Sequence, residues 1–162
     1  ETLLIERNNL VLLEENEFLK HCVCDFYKAR GPGGQKKNKT ESAVRLTLKN
    51  LPIAATAAED RKQSINRSKA VKRLKLQIAF ECRLPAEKWQ GQLDMNPANK
   101  LYPHFCAVLF DHFHENDWQM STVANKYAIS TNKLVKIIGK NDTLWQEVNR
   151  QRLKLNHKAL RK

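Results

Sequence analysis

The sequence predicts an α+β fold: a small sheet packed on one long helix, with a protruding Gly-rich loop, followed by an all-α, helix-turn-helix-like module. Three observations carry this. Two short segments with period-two alternation, 21–28 and 43–47, flank the run Gly31-Pro32-Gly33-Gly34. A stretch starting near Arg61 repeats Val71, Leu74, Ile78 and Cys82 at three- and four-residue spacing. Beyond Pro103, Ser121 and Ser130 stand where helix caps are expected between apolar periodic segments. The expected division is a first domain over 1–85, a linker over 86–100 and a helical basic module over 101–162.

Taken in order, residues 3–19 mix Leu with Glu, and Leu10, Leu12, Leu13 and Leu19 are the expected core positions of a short helix, or of a strand leading into a turn. Residues 21–28 read as a strand with Cys22, Cys24 and Phe26 on one face. At 31–34, paired glycines allow close main-chain approach to a ligand, and Pro32 stiffens the entry. The next strand places Val44, Leu46 and Leu48 opposite Ala43, Arg45 and Thr47. Residues 49–52 turn it toward a partner strand over 53–57. The long helix puts Lys69, Lys72, Arg73 and Lys75 away from its apolar face and ends near Leu84-Pro85.

Gly91, Pro97 and Pro103 mark 89–103 as a connection. Leu101 or Phe105, with Val108, Leu109 and Phe113, then make one helical apolar face. Ser121 is expected to cap a helix running to Tyr127, and Ser130 a second one closed by Gly139. Asp142 or Thr143 is expected to cap a last helix carrying Leu144, Trp145, Val148 and Leu153. His104, His112 and His114 are expected on helix surfaces or edges.

Charge narrows the function classes. The chain has 29 Lys and Arg against 17 Asp and Glu, a net +12. Residues 28–83 hold +11 of it, residues 1–27 carry −4 and residues 84–162 carry +5. A basic segment this concentrated seeks polyanions. No stretch is apolar enough to span a membrane, and no lipidation or secretory signal is visible, so nucleic acid is the expected partner. The chain starts at Glu1 rather than Met, which points to a removed segment.

Cys22, Cys24, Cys82 and Cys106 lack paired zinc-ligand spacing and are too sparse for a disulfide scaffold, which fits a reducing cytosol. No metal or other cofactor is called for. The alternative is a metal site using Cys22 and Cys24 with His21 or His104.

The chemistry is concentrated at Gly33-Gly34-Gln35, beside Arg30, Lys36, Lys37 and Lys39. Glycines expose amide N–H groups, and such a donor aimed at a developing oxyanion lowers an acyl-transfer barrier by roughly 3 kcal/mol. Gln adds a neutral amide that orients water, and the cations hold an anionic backbone. The loop suits hydrolysis of an ester attached to RNA. Serine-hydrolase elbow, metalloprotease and phosphate-loop motifs are absent from the sequence.

The motif extends further: Arg30 to Gln35, then Asn38-Lys39-Thr40-Glu41-Ser42-Ala43-Val44-Arg45, then Arg61, Gln63, Asn66, Arg67 and Ala70. This series, within roughly 22–83, resembles the catalytic domain of class I peptide chain release factors. The resemblance implies that Gly33, Gly34 and Gln35 enter the peptidyl transferase centre of the large ribosomal subunit. There the Gln35 main-chain amide would stabilise the transition state or the leaving hydroxyl of peptidyl-tRNA, while its side chain confines the nucleophile to water. It also marks Gln35 for N5-methylation by a glutamine methyltransferase. Arg30, Lys36, Lys37, Lys39, Arg45, Arg61 and Arg67 are expected on ribosomal or transfer RNA phosphates, as cations at those positions would be. A basic end at Arg150, Arg152 and Lys154 extends that expectation to the last helix.

The sequence departs from the family pattern at Lys36-Lys37, where His-Val is common, at Leu51-Pro52-Ile53, where a Thr-Gly turn is common, and at Lys62, where Ser is usual. Codon-reading members carry further domains, and only about thirty residues precede the loop here. The chain is therefore most similar to short, codon-independent members that rescue stalled ribosomes, working as a cytoplasmic or organellar monomer. The rival readings are a codon-specific termination factor, a non-catalytic ribosome-binding protein, and a DNA-binding regulator built on 118–158.

Overall fold

The computed structural model describes residues 2–29 and 41–162. They form two compact units, residues 1–78 and 79–162. The first is α+β. Helices α1 (Thr2–Leu12) and α2 (Glu15–Leu19) lead into β1 (Cys22–Tyr27), followed by β2 (Ala43–Leu48), β3 (Ala54–Ala57) and the long helix α3 (Gln63–Glu81), whose last turn belongs to the second unit.

The three strands form an antiparallel sheet in the order β1-β2-β3. Register pairs Cys22 with Leu48, Cys24 with Leu46 and Phe26 with Val44, and sets Val44 opposite Ala57. Side chains alternate across a strand, so Val44, Leu46 and Leu48 share the inward face, as their spacing predicts. They are buried, as are Ala70, Val71, Leu74 and Ile78 of α3, so the sheet packs on the apolar stripe of the long helix. Each such large aliphatic side chain contributes about 1.5–3 kcal/mol on burial.

The structure departs from four expectations here. Leu10, Leu13 and Leu19 are only half-buried and Leu12 is exposed, whereas Val11 and Phe18 are fully buried. The N-terminal segment is helical, and the helical phase puts Val11 one turn after the buried Arg7 and turns its leucine neighbours aside. Phe26 remains 40% exposed although it shares a face with Cys22, because it lies near the end of an edge strand. Ile53 precedes β3 rather than joining it. It is nevertheless buried, and its carbonyl accepts from the Leu48 amide at 3.0 Å. Helix α3 also runs two residues later than expected at its start and stops at Glu81, leaving Cys82 half-buried beyond it.

The second unit is helical: α4 (Tyr102–Glu115), α5 (Met120–Lys126), α6 (Thr131–Ile138) and α7 (Asp142–Lys154). Helix α4 is buried from Phe105 through Phe113 without a break. The single apolar face expected for it is corrected to burial on nearly all sides, and this takes in His112, whose Nε2 lies 2.8 Å from the Glu87 carbonyl oxygen. An aromatic cluster fills the centre. Phe80 stacks on Phe110 at 4.8 Å and Phe113 on Trp118 at 5.1 Å. Asp117 and Trp118 take left-handed φ values of 52° and 59°, and the stacking of the Trp118 ring offsets the strain of that turn.

Residues 86–100, read from sequence as a linker, lie within this unit. Trp89 meets His104 and Phe105 edge-on, Met95 is buried, and the Ala86 amide donates to Glu115. The Arg83 guanidinium forms an ion pair with the buried Asp111 at 2.9 Å. Burial pushes the Cys106 thiol up to about 12 and raises the Tyr102 and Tyr127 phenols, so all three stay protonated near neutral pH.

The helix-turn-helix pattern is present. Helix α5 closes with amides of Ala128 and Ile129 bonded back to Asn125 and Ala124, and Ala128 has φ 53°. Ser130 caps α6 by accepting from the Lys133 amide at 3.1 Å, as expected. Ser121 is corrected: α5 begins at Met120 after Gln119, which makes no side-chain cap. For α7 the cap is Asn141, accepting from Leu144 at 2.9 Å, rather than Asp142 or Thr143. Leu144 and Val148 are fully buried, Trp145 is half-buried and Leu153 is 57% exposed.

Candidate catalytic loop and its framework

Gly33, Gly34 and Gln35, with Arg30, Lys36, Lys37 and Lys39, lie outside the described residues. Their framework is described. Strands β1 and β2 pair as far as Tyr27 opposite Ala43, so the segment 28–42 joins the two strands at one end of the sheet. Where the chain re-enters the sheet, the first turns of α3 hold it. Asn66 is fully buried and its Nδ2 donates to the carbonyls of Ser42 at 2.8 Å and Asp60 at 2.9 Å, while its Oδ1 accepts from the Asp60 amide at 3.0 Å. One side-chain amide thus ties the exit of the loop to the connection between β3 and α3. Gln63 adds a bond from Nε2 to the Glu41 carbonyl at 2.8 Å.

Both residues belong to the ordered motif, yet the sequence alone assigned them no task. A buried Asn with every amide atom engaged fixes geometry, because each partner it leaves behind would be unsatisfied at a cost of about 1–3 kcal/mol. At the other edge of the sheet, Arg73 donates to the Thr56 carbonyl at 2.9 Å and pairs with Glu59 at 2.5 Å. Burial is the largest single influence on Glu59 and opposes its ionisation, but the Arg73 hydrogen bond, a backbone hydrogen bond and the charges of Arg73 and Lys69 together outweigh it and hold the carboxyl below its usual range.

The cations expected to meet RNA are placed as follows. Arg45 is exposed on the outward face of β2, opposite Asp25 and Thr56 in register. Arg61 is exposed just before α3. Arg67 sits on α3 with Nε 3.8 Å from Glu15, whose two oxygens also accept from the Ser68 hydroxyl. Arg67 also lies close enough to the inward-facing Cys24 to oppose the rise that burial imposes on its thiol. The sheet therefore separates Arg45 from Arg67 rather than gathering them on one surface.

Lys75 is fastened internally. It donates to the Leu13 carbonyl at 2.5 Å and sits 5.3 Å from the Phe18 ring centre, and burial lowers its pKa.

In the second unit, Arg150 is held by Glu147 through bonds of 2.9 and 2.5 Å. Arg152 donates to the carbonyls of Trp118 and Lys158, and burial depresses its pKa. It fastens the C-terminal segment, which is also held by the Leu160 amide on Asn149 at 2.7 Å and by Lys162 on Asp142 at 3.2 Å. Lys154 is exposed at the end of α7.

Among the described residues no three His, Cys, Asp or Glu side chains gather into a metal-holding group. Cys22, Cys24 and Cys106 carry free thiols, and burial, followed by the neighbouring Cys24, pushes the Cys22 thiol up to about 11. No described helix is long and apolar enough to cross a membrane.

Comparison with known proteins points the same way as the motif. A family model described as "RF-1 domain" matches residues 17–97, half of the chain. Peptide chain release factor 1 of Geobacter metallireducens is 52% identical over 96 residues, covering 54% of this chain and 27% of that protein. The proteins of the same name from Geobacter sulfurreducens and Xylella fastidiosa are 50% and 44% identical over 54 residues, covering 33% of this chain and 15% of each. The chain thus spans about a quarter or less of the length of these relatives. No solved structure matches it.

Proposed function

We propose, because this chain belongs to the RF-1 domain family, that it hydrolyses the ester bond of peptidyl-tRNA on the ribosome. In this reading Gly33 and Gly34 leave the main chain bare of side chains beside the ester. The Gln35 amide N–H donates to the oxygen on which negative charge develops. Water adds to the carbonyl carbon, the bond to the ribose oxygen breaks, and the products are a free peptide carboxylic acid and a tRNA 3′-hydroxyl. One such donor contributes roughly 3 kcal/mol, or about two powers of ten in rate. Exclusion of nucleophiles other than water falls to the Gln35 side chain, and N5-methylation of that side chain by a glutamine methyltransferase would stiffen its placement.

The observation that carries this reading is the clamp at the loop's re-entry, where Asn66 and Gln63 fix Ser42 and Glu41 just after the Gly-Gly-Gln segment. A loop that must present one amide to a reacting ester needs a fixed base. The cations around it, Arg30, Lys36, Lys37 and Lys39, with Arg45, Arg61 and Arg67 on the same unit, suit phosphate contacts that carry no base information. Attachment by such contacts works on any message, so the finer proposal is codon-independent release, as in rescue of stalled ribosomes.

A release assay tests both levels. Purified ribosomes carrying peptidyl-tRNA are programmed with a stop codon, a sense codon or a truncated message. Release on the truncated or sense message at least equal to that on the stop codon is expected. Release confined to the stop codon would replace rescue by codon-specific termination, and no release on any message would remove the hydrolase reading.

A further inference from the structure

We infer that the α5–α6 helix-turn-helix is an RNA-binding surface that grips phosphates through Lys126, Lys133 and Lys136, with Asp94 as an internal competitor for that ground. The choice of RNA as the polyanion rests on the ribosomal reading above; the existence of the surface rests on the geometry and charge of this unit.

From Trp118 to Asn141 the chain carries Lys126, Lys133, Lys136 and Lys140 and not one Asp or Glu. The fold sorts these residues. Val123, Ala124, Leu134, Ile137 and Ile138 are buried, whereas Lys126, Lys133 and Lys136 are all exposed. Lys133 and Lys136 are three apart and therefore neighbours on the solvent side of α6. Thr131 and Asn132 stand exposed ahead of them at the helix start. An acid-free helical pair with its lysines all outward is complementary to a phosphate backbone.

The side-chain types narrow the mode of binding. This stretch has no arginine, the residue that most often reads guanine through a bidentate contact. Lysine is a point charge that suits phosphate rather than base edges. The deep, narrow major groove of A-form RNA closes its bases to a helix, which leaves backbone contacts as the available mode. Lysines without arginines are what a sequence-independent RNA anchor requires.

Asp94 adds the regulatory element. Its exposed carboxylate is bonded to Lys140. That bond first, then the charge of Lys140, with the charge of Lys133 as the smallest contribution, hold its pKa below the usual range. A carboxylate thus rests at the edge of the lysine surface, where an RNA phosphate would otherwise be drawn.

The test uses the full chain and a fluorescent RNA hairpin with a duplex stem, with a DNA duplex of the same sequence as comparison and no ribosome present. A Lys133→Glu, Lys136→Glu double variant is expected to weaken RNA binding about tenfold or more, and to lower the salt slope by roughly one per lysine. Its thermal midpoint should stay at the wild-type value, since both side chains are exposed. Lys88→Glu with Lys100→Glu, an equal charge change at exposed sites elsewhere in the unit, should cost much less. Asp94→Asn should tighten binding by a few-fold, as removal of one competing charge would.

Equal losses in the two double variants, an unchanged affinity in the first, or tighter binding of wild type to the DNA duplex than to RNA would each overturn the proposal. Because no ribosome is used, a failed release assay leaves a positive binding result standing. A flat binding result likewise leaves peptide release standing.

Discussion

The two units hold their chains together by different means. In the first, polar side chains reach across the sequence to grip backbone: Asn66 takes Ser42 and Asp60, Gln63 takes Glu41, Arg73 takes Thr56 and Lys75 takes Leu13. The apolar core beneath them is made of small and aliphatic residues, with Phe18 its fully buried aromatic. In the second, aromatic rings supply the bulk, with Phe105, Phe110 and Phe113 fully buried along one helix. Hydrogen bonds are strongly directional, whereas packed rings accept both offset-stacked and edge-on arrangements. The first arrangement sets the position of a loop base, and the second sets the stability of a platform that carries the α5–α6 lysines on its outside.

The sharpest way to break this comparison is to remove function from one unit while leaving its fold alone. Replacing Gly34 by Ala is expected to lower peptide release by about a hundredfold or more, the loss of roughly one well-aimed donor. RNA binding and the thermal midpoint should be unchanged. A variant that releases peptide at the wild-type rate would separate the chain from the hydrolase reading altogether.

The next largest effects are structural and should fall separately. Phe110 stacks on Phe80 and meets Trp118 edge-on at 5.0 Å, so Phe110→Ala is expected to destabilise the second unit by about 3–5 kcal/mol. Asn66→Ala strands the Asp60 amide and the carbonyls of Ser42 and Asp60. It is expected to cost about 2–4 kcal/mol, and to reduce peptide release beyond what the fraction unfolded explains. Denaturant unfolding followed by Trp fluorescence reads the second unit, because Trp89, Trp118 and Trp145 all lie there. Amide exchange of β2 reads the first. If Phe110→Ala exposed β2 as strongly as Asn66→Ala does, the two units would be one cooperative body.

Much of this was legible in the sequence, for a definite physical reason. Alternation at Val44, Leu46 and Leu48 and helical spacing at Val71, Leu74 and Ile78 each report a single amphipathic face. Ser130 reports its own cap. What was not legible depends on distant partners or on the absence of a polar face. Asn66 meets Ser42 across 24 residues and Arg152 meets Trp118 across 34, so no local pattern announces either. Helix α4 is buried on nearly all sides and hides its phase. In the N-terminal helix, leucine count outweighed helical phase, and Val11 rather than Leu12 is inside. The Gly-Gly-Gln loop is the reverse case, evident in the letters through its ordered neighbours.

The smallest predicted effect tests how finely helix ends can be read. Ser130 and Asn141 each accept a bond from the amide three residues on, at 3.1 and 2.9 Å. Ser130→Ala and Asn141→Ala are each expected to cost about 1 kcal/mol, which for a unit of the size of residues 79–162 is a fall of about 4–8 °C in its thermal midpoint. Ser121 looks like the same signal in sequence but lies exposed inside α5 and caps nothing. There Ala is the better helix former by a few tenths of a kcal/mol, so Ser121→Ala should leave the midpoint unchanged or raise it slightly. A loss at Ser121 matching that at Ser130 would mean that Ser121 is the cap and that α5 starts two residues later, at Thr122, in solution.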